Sequence, residues 1–209
     1  MARAISTKTL LEKTHKTYEL EGVWADVLGK PSRGGIWVIY GDEKNGKTAF
    51  ALALSELLSK FDKVWYISAE EGVGKEFQDN VKRVRIDSKN SKIMWSEYTE
   101  IDEMTSKLEK RQGPKICVLD NATVYADDLK NGVLKKLLQN HPNTLFILLA
   151  HMEKNEPYTA TAKLAKKLAK IIFRVEGLTA FVYGRCPGGI LTIDENTSKL
   201  YHGTQISNN

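Results

Sequence analysis

The sequence is short of several things, and each shortage removes a class of protein. Only two cysteines occur in 209 residues. Cys117 and Cys186 lie far apart and neither has a CxxC partner, which leaves no disulfide framework; Cys117, inside an apolar run, reads as a buried thiol in a reducing cytosol. No stretch approaches eighteen apolar residues, so a membrane-spanning helix is excluded. Residues 1–16 alternate polar, basic and apolar side chains, unlike a secretory leader. There is no internal repeat and no low-complexity tract. What is present is ordinary and sufficient: 42% hydrophobic and 9% aromatic residues can build one packed domain. The net charge of +5 is compatible with a polyanionic partner without identifying one. The expectation is a cytoplasmic, globular, single-domain protein with no membrane association.

Apolar runs alternate with helix-period segments along most of the chain. Strands are expected at Ile36–Tyr40, Val64–Ser68, Ile93–Tyr98, Ile116–Asp120 and Leu145–Ala150. Helices are expected at Thr48–Lys60, Lys75–Val84, Ile101–Arg111 and Leu129–Asn140. Continuously apolar strands separated by helices predict a mainly parallel sheet covered on both faces. Ile171–Val175, Ala180–Arg185 and Ile190–Asp194, joined by Gly-rich turns, predict an antiparallel extension. Residues 1–22 read as a helical arm available for oligomerisation, 23–204 as the core, and 205–209 as a frayed tail.

Gly41-Asp-Glu-Lys-Asn-Gly46-Lys47-Thr48 fits G-x-x-x-x-G-K-[ST] at every position. The glycines let successive backbone N–H groups close on a β-phosphate, and the following helix turns its positive end toward the anion. The cradle runs from Gly41 through Asp42, Glu43, Lys44, Asn45 and Gly46 to Ala49. Lys47 would reach the β- and γ-phosphates, and Thr48 would offer its hydroxyl to Mg²⁺. Chance produces the pattern in about one per cent of chains of this length, and its position between an apolar strand and a buried helix is the one the mechanism requires. ATP with Mg²⁺ is the expected ligand. Gly72-Val-Gly-Lys75, by contrast, is half a motif and reads as a turn.

A P-loop needs an acid at a neighbouring strand tip, and Ile116-Cys-Val-Leu-Asp120 supplies one. A second strand, Val64–Ser68, runs into Glu70 and Glu71. One of these could polarise the attacking water; Glu71 is the better candidate for an exposed turn acid.

These residues together resemble the RecA-like ATPases, most closely the RadA/Sms recombination proteins and the motor domain of DnaB-type replicative helicases. Ser68-Ala-Glu70-Glu71 is similar to that family's strand end after the P-loop helix, which implies Glu70 as the catalytic glutamate and Asp120 as the metal-side aspartate. Ala150-His151-Met-Glu-Lys154 is similar to a segment that implies His151 as a γ-phosphate sensor. Trp24-Ala-Asp-Val-Leu-Gly29 with Gly34-Gly35 resembles the family's approach to the P-loop strand. Tyr183-Gly184-Arg185 resembles a helicase segment whose Lys and Arg enter the neighbouring subunit's ATP site. Arg185 keeps the arginine, but Tyr183 stands where the lysine belongs. The resemblance spans residues 24–203 and implies a homo-oligomer, ring or filament, with the ATP site between subunits. The zinc module and protease-like domain of RadA are not in the sequence, nor is the N-terminal domain of replicative helicases.

The family places nucleic acid on two loops. The first, around Asn121–Asn131, carries Asp127 and Asp128 and offers little to phosphate. The second follows His151 and contains Lys154, Tyr158, Lys163, Lys166, Lys167 and Lys170. Leu164, Ala165, Leu168, Ala169 and Ile172 recur at helical spacing, which turns the lysines outward as one basic stripe, suited to single-stranded DNA. The expected function is an ATP-hydrolysing, DNA-binding protein of recombination, repair or replication. A KaiC-like ATP-dependent switch or scaffold is the alternative, and a metabolite kinase is disfavoured because no Arg-rich lid is present.

Overall fold

In the computed structural model of the chain, the described residues are 4–193. The apolar runs become five parallel strands: β1 (Gly35–Gly41), β2 (Val64–Ser68), β3 (Ile93–Ser96), β4 (Ile116–Asp120) and β5 (Leu145–Glu153). A two-residue strand β6 (Glu156–Pro157) folds back on β5. β7 (Ile171–Glu176) joins β1 in parallel, then β8 (Thr179–Gly184) and β9 (Gly189–Thr192) add antiparallel. The sheet order is β3-β2-β4-β5-β1-β7-β8-β9. β1 therefore lies between β5 and β7, away from its sequence neighbour β2, and the crevice beyond its C-terminal end is where a doubly wound sheet receives a ligand.

Both faces are covered, as continuous apolar strands demand. One face packs α2 (Gly22–Leu28), α3 (Lys47–Ser59) and α4 (Lys75–Arg83) over Trp37, Ile39, Tyr66 and Phe173. The other packs α5 (Ile101–Glu109), α6 (Val133–Asn140) and α7 (Ala160–Leu168) over Val38, Trp65, Leu119 and Phe146. The P-loop helix α3 is apolar nearly all round and is buried accordingly, at Phe50, Ala51, Leu52, Leu54 and Leu58. Its buried hydroxyls satisfy themselves locally: Ser55 donates to the Ala51 carbonyl at 2.7 Å and Ser59 to that of Glu56 at 2.7 Å.

Two differences from the sequence expectation have plain causes. The helix expected over Leu129–Asn140 forms only from Val133, because Asn131 (φ 52°) and Gly132 (φ 89°) take left-handed backbone and break it; Leu129 is buried all the same. The second concerns the N-terminus. The short helix α1 (Thr7–Glu12) buries no residue, and residues 4–16 are all exposed. Tyr18, however, is 1% exposed and sits in the core. Its N–H donates to Pro31, and Arg33 lies 5.3 Å over its ring while binding Asp62 at 2.9 Å. Core packing thus starts at Tyr18, ahead of residue 23. Asp194 and the expected tail lie outside the described residues. No described helix is long and apolar enough to cross a membrane.

Candidate nucleotide site

β1 delivers Gly41 in register with His151 of β5, and the chain then turns through Asp42–Gly46 into α3. Two glycines are dictated by close approach. A Cβ on Gly41 would sit 2.1 Å from the Val175 carbonyl oxygen, and one on Gly46, where φ is 94°, would sit 2.3 Å from Leu178 Cδ2. The β7–β8 turn thus braces the loop from behind. Gly177 N–H donates to Asn45 Oδ1 at 2.8 Å, and Leu178 N–H to the Asn45 carbonyl at 3.3 Å. Gly46 caps α3 without a side chain, so the first-turn amides of Lys47, Thr48 and Ala49 point into the loop uncapped. Lys47 is buried, and its Nζ donates to the Asp42 carbonyl at 2.6 Å. Burial lowers the Lys47 pKa, against the pull of Asp120, Glu43, Asp42 and Glu70.

Asp120 ends β4 beside Ser68 of β2. Its Oδ2 accepts from Thr48 Oγ1 at 3.1 Å and from the fully buried Tyr66 hydroxyl at 2.6 Å. Burial pushes the Asp120 carboxyl up to about 6, the bonds from Tyr66 and Thr48 pull it back, and Glu70 adds to the rise. Tyr66 is itself raised well above its ordinary value, by burial first and then by Asp120. The Thr48 hydroxyl and Asp120 carboxylate suit Mg²⁺, which keeps most of its waters and takes its other ligands from phosphates. Among the described residues no cluster of three or more His, Cys, Asp or Glu forms a metal cage, and a P-loop magnesium requires none.

The strand tips bring three further groups together. Asn121 Nδ2 donates to Glu70 Oε2 at 2.8 Å, and His151 Nε2 lies 3.4 Å from the same oxygen. Asn121 is 2% exposed and is itself held, its Oδ1 accepting the Thr123 N–H at 3.0 Å; the peptide joining it to Asp120 is cis. The Glu70 side chain is 57% exposed, and among the described residues no hydrogen bond engages its other oxygen. A cavity of about 370 Å³ is lined by Thr48, Ser68, Glu70, Glu71 and Asp120. Glu71 is exposed, and among the described residues it makes no hydrogen bond or ion pair with the strand tips. The sequence reading missed Asn121 and Tyr66. Asn121 could have been found as the residue following Asp120, whereas Tyr66 gave no local signal.

Arg185 is elsewhere. Its N–H donates to the Lys170 carbonyl at 2.6 Å, and the Lys170 N–H donates to that of Ile36. That puts it level with the start of β1, roughly 17 Å of strand from Gly41, farther than an arginine side chain extends. Its own P-loop is out of reach. Tyr183, in place of the expected lysine, pairs its hydroxyl with that of Tyr40 at 2.6 Å.

The expected basic stripe is not present as one surface. Lys166 Nζ binds both Glu156 oxygens at 2.9 Å and lies 4.7 Å over the Tyr40 ring. Lys170 lies beyond the end of α7 and donates to Ser32 Oγ and the Gly34 carbonyl, each at 2.9 Å. Lys163 and Lys167 remain exposed on α7, and Lys154 is exposed at the tip of the β5–β6 hairpin. The first loop is largely built in: Ala122, Tyr125 and Leu129 are buried, and the Tyr125 hydroxyl donates to the Thr99 carbonyl at 2.8 Å.

No protein-family model matches the chain, and no curated protein matches it in sequence. Solved structures match in fold. Flagellar accessory protein FlaH from Methanocaldococcus jannaschii superposes with a TM-score of 0.61 at 15% identity, covering 87% of this chain and 96% of its own. A KaiC-like protein from Pyrococcus horikoshii gives 0.58 at 16% identity, covering 78% and 84%. The chain has a RecA-like α/β fold: a mainly parallel sheet flanked by helices, with a C-terminal antiparallel extension. At these identities the likeness carries the fold, and it does not single out the RadA/Sms or DnaB lineage.

Proposed function

We propose that this chain binds ATP with Mg²⁺, hydrolyses it, and does so in a homo-oligomer acting on DNA. One observation supports the hydrolytic reading: Asn121 and His151 converge on a single carboxylate oxygen of Glu70 beside the P-loop, 2.8 and 3.4 Å away. That grip leaves the second Glu70 oxygen free to accept a proton. A water whose proton passes to Glu70 attacks the γ-phosphorus, and the bond from that phosphorus to the β–γ bridging oxygen breaks, the electron pair leaving with ADP. Lys47 releases the Asp42 carbonyl to hold phosphate oxygens. Thr48 and Asp120 would hold Mg²⁺, which would supply neutralisation of the developing charge. His151, in register with Gly41 and touching Glu70, is suited to sense the γ-phosphate.

Arg185 lies out of reach of its own subunit's site, so its catalytic role would be at a neighbour's, in a ring or filament. For single-stranded DNA the exposed candidates are Lys154, Lys163 and Lys167; Lys166 serves instead to tie α7 to the β6 hairpin. The test is ATP turnover with and without single-stranded DNA, alongside sizing of the ATP-bound particle. Stimulation with assembly supports the reading. Turnover indifferent to both single- and double-stranded DNA sinks the DNA part and leaves a KaiC-like ATP-dependent switch.

A further inference from the structure

The sheet edge opposite the nucleotide cleft has a charge pattern that the sequence order conceals. Lys92, Lys63 and Lys115 immediately precede β3, β2 and β4, which are hydrogen-bonded neighbours whose first residues, Ile93, Val64 and Ile116, are in register. The three lysines therefore form one row across adjacent strands, with backbones about 4.8 Å apart. The chain confirms the alignment: Val64 N–H donates to the Lys92 carbonyl and Lys115 N–H to that of Lys63. Two of these charges are met by carbonyls, not carboxylates. Lys92 Nζ reaches the Lys60 carbonyl at 3.4 Å, and Lys63 Nζ that of Gln112 at 3.3 Å. These contacts bring Lys60, Lys110 and Arg111 of the flanking turns to the same edge.

Lys60, Lys63, Lys92, Lys110 and Arg111 are exposed, and none of the six cations has an ion-pair partner among the described residues. Asp62, the carboxylate between them, is already bound to Arg33, and Glu56 accepts from Asn90 Nδ2 at 2.8 Å, leaving Asp87 and Glu109 as the other carboxylates to oppose the row. A like-charged row disfavours the fold slightly, and among the described residues no ion pair to these cations offsets it.

We infer that this edge binds the sugar–phosphate backbone of duplex nucleic acid without reading sequence. The row is linear, as a phosphodiester backbone is, and binding by counterion release needs only such cations. The exposed large apolar side chains of the described residues, among them Val73, Tyr98, Val124 and Tyr158, all lie outside the turns that build this edge. A protein partner would want an apolar anchor here, a membrane would gain from apolar insertion, and an unpaired strand from aromatic stacking; a duplex backbone needs none of these. The edge lies roughly 17 Å along β2 from the cleft, so binding there is constitutive and independent of hydrolysis. The inference does not rest on the ATPase reading.

The test is fluorescence anisotropy of a labelled mixed-sequence duplex titrated with the full chain across a salt series. Neutralising Lys63, Lys92 and Arg111 together to glutamine should weaken binding at least tenfold at low salt. It should also flatten the log Kd against log salt slope by about 2.7. Lys63→Arg with Lys92→Arg should retain binding, which separates charge from folding. The Lys47→Ala chain should bind duplex as the parent does, so loss of ATP binding and loss of this edge are told apart. Several results overturn the proposal: an unaltered slope, loss of duplex binding in the combined Lys154, Lys163 and Lys167 alanine chain instead, retention on phosphatidylserine vesicles at salt that releases duplex, or a change of particle size as the only effect of the neutralisation.

Discussion

Replacing Asp120 with asparagine removes a charge that the fold holds at a disadvantage. Burial raises the carboxyl to about 6 from its ordinary 3.8. The folded chain therefore binds this proton more tightly than the unfolded chain does. Its contribution to stability is fully present below pH 3.8 and is lost as pH rises through about 6. Above pH 7 the ionised carboxylate costs at most about 3 kcal/mol, and relaxation of the surrounding charges makes about 1–3 kcal/mol the working range. Thr48 and Tyr66 both donate to the same oxygen, Oδ2, so an asparagine carbonyl placed there keeps both bonds. For a chain of this size the gain is worth roughly 3–10 °C in melting temperature. Thermal melts of the nucleotide-free proteins, run from pH 4 to 8, should show Asp120→Asn melting above the parent at pH 7.5. The gap should close toward pH 4. Mg²⁺ with ATP should then stabilise the parent far more than the variant, because the lost carboxylate is the metal's partner. A variant melting at or below the parent at pH 7.5, or a gap that ignores pH, refutes the reasoning.

Three other outcomes follow from the same geometry. Asn121→Ala should lower kcat about tenfold or more with ATP affinity nearly unchanged, because it loosens Glu70 without touching the P-loop; an equal change in both measured by binding and turnover would make Asn121 merely structural. Arg185→Ala should abolish turnover while ATP still binds, and mixing it with Lys47→Ala subunits should restore part of the rate. Failure of both to recover activity on mixing argues against a site shared between subunits. Gly46→Ala should lose nucleotide binding, since its Cβ meets Leu178 at 2.3 Å and its φ of 94° is strained for alanine; isothermal titration with ATP reads this directly, and unchanged affinity contradicts the bracing role of the β7–β8 turn.

The P-loop was legible because its chemistry leaves almost no freedom of residue type, and the strand-end acids because apolar runs that stop at a charge mark a sheet edge. Asn121 and Tyr66 were hidden by non-local order. Tyr66 looked like one more apolar-run residue until β4 was seen beside β2, which brings Asp120 within 2.6 Å of its hydroxyl. The lysine stripe failed for a related reason. Helical spacing does give the outward face of α7, but Glu156, which takes Lys166 out of that face, arrives by a hairpin that spacing does not reveal. Lys63, Lys92 and Lys115 were scattered in the sequence and adjacent in the sheet, so no window along the chain could have grouped them. Tyr18, a lone aromatic in a polar segment, was likewise placed by tertiary packing alone.

Glu70 is the residue on which hydrolysis turns. Steady-state ATP turnover of the parent and of Glu70→Gln, with Mg²⁺-ATP binding measured on both, is the decisive comparison. Glutamine keeps an oxygen for Asn121 but cannot take the proton, so binding should match the parent and turnover should fall about 100-fold or more. Turnover unchanged by the substitution would contradict the assignment of Glu70 as the base.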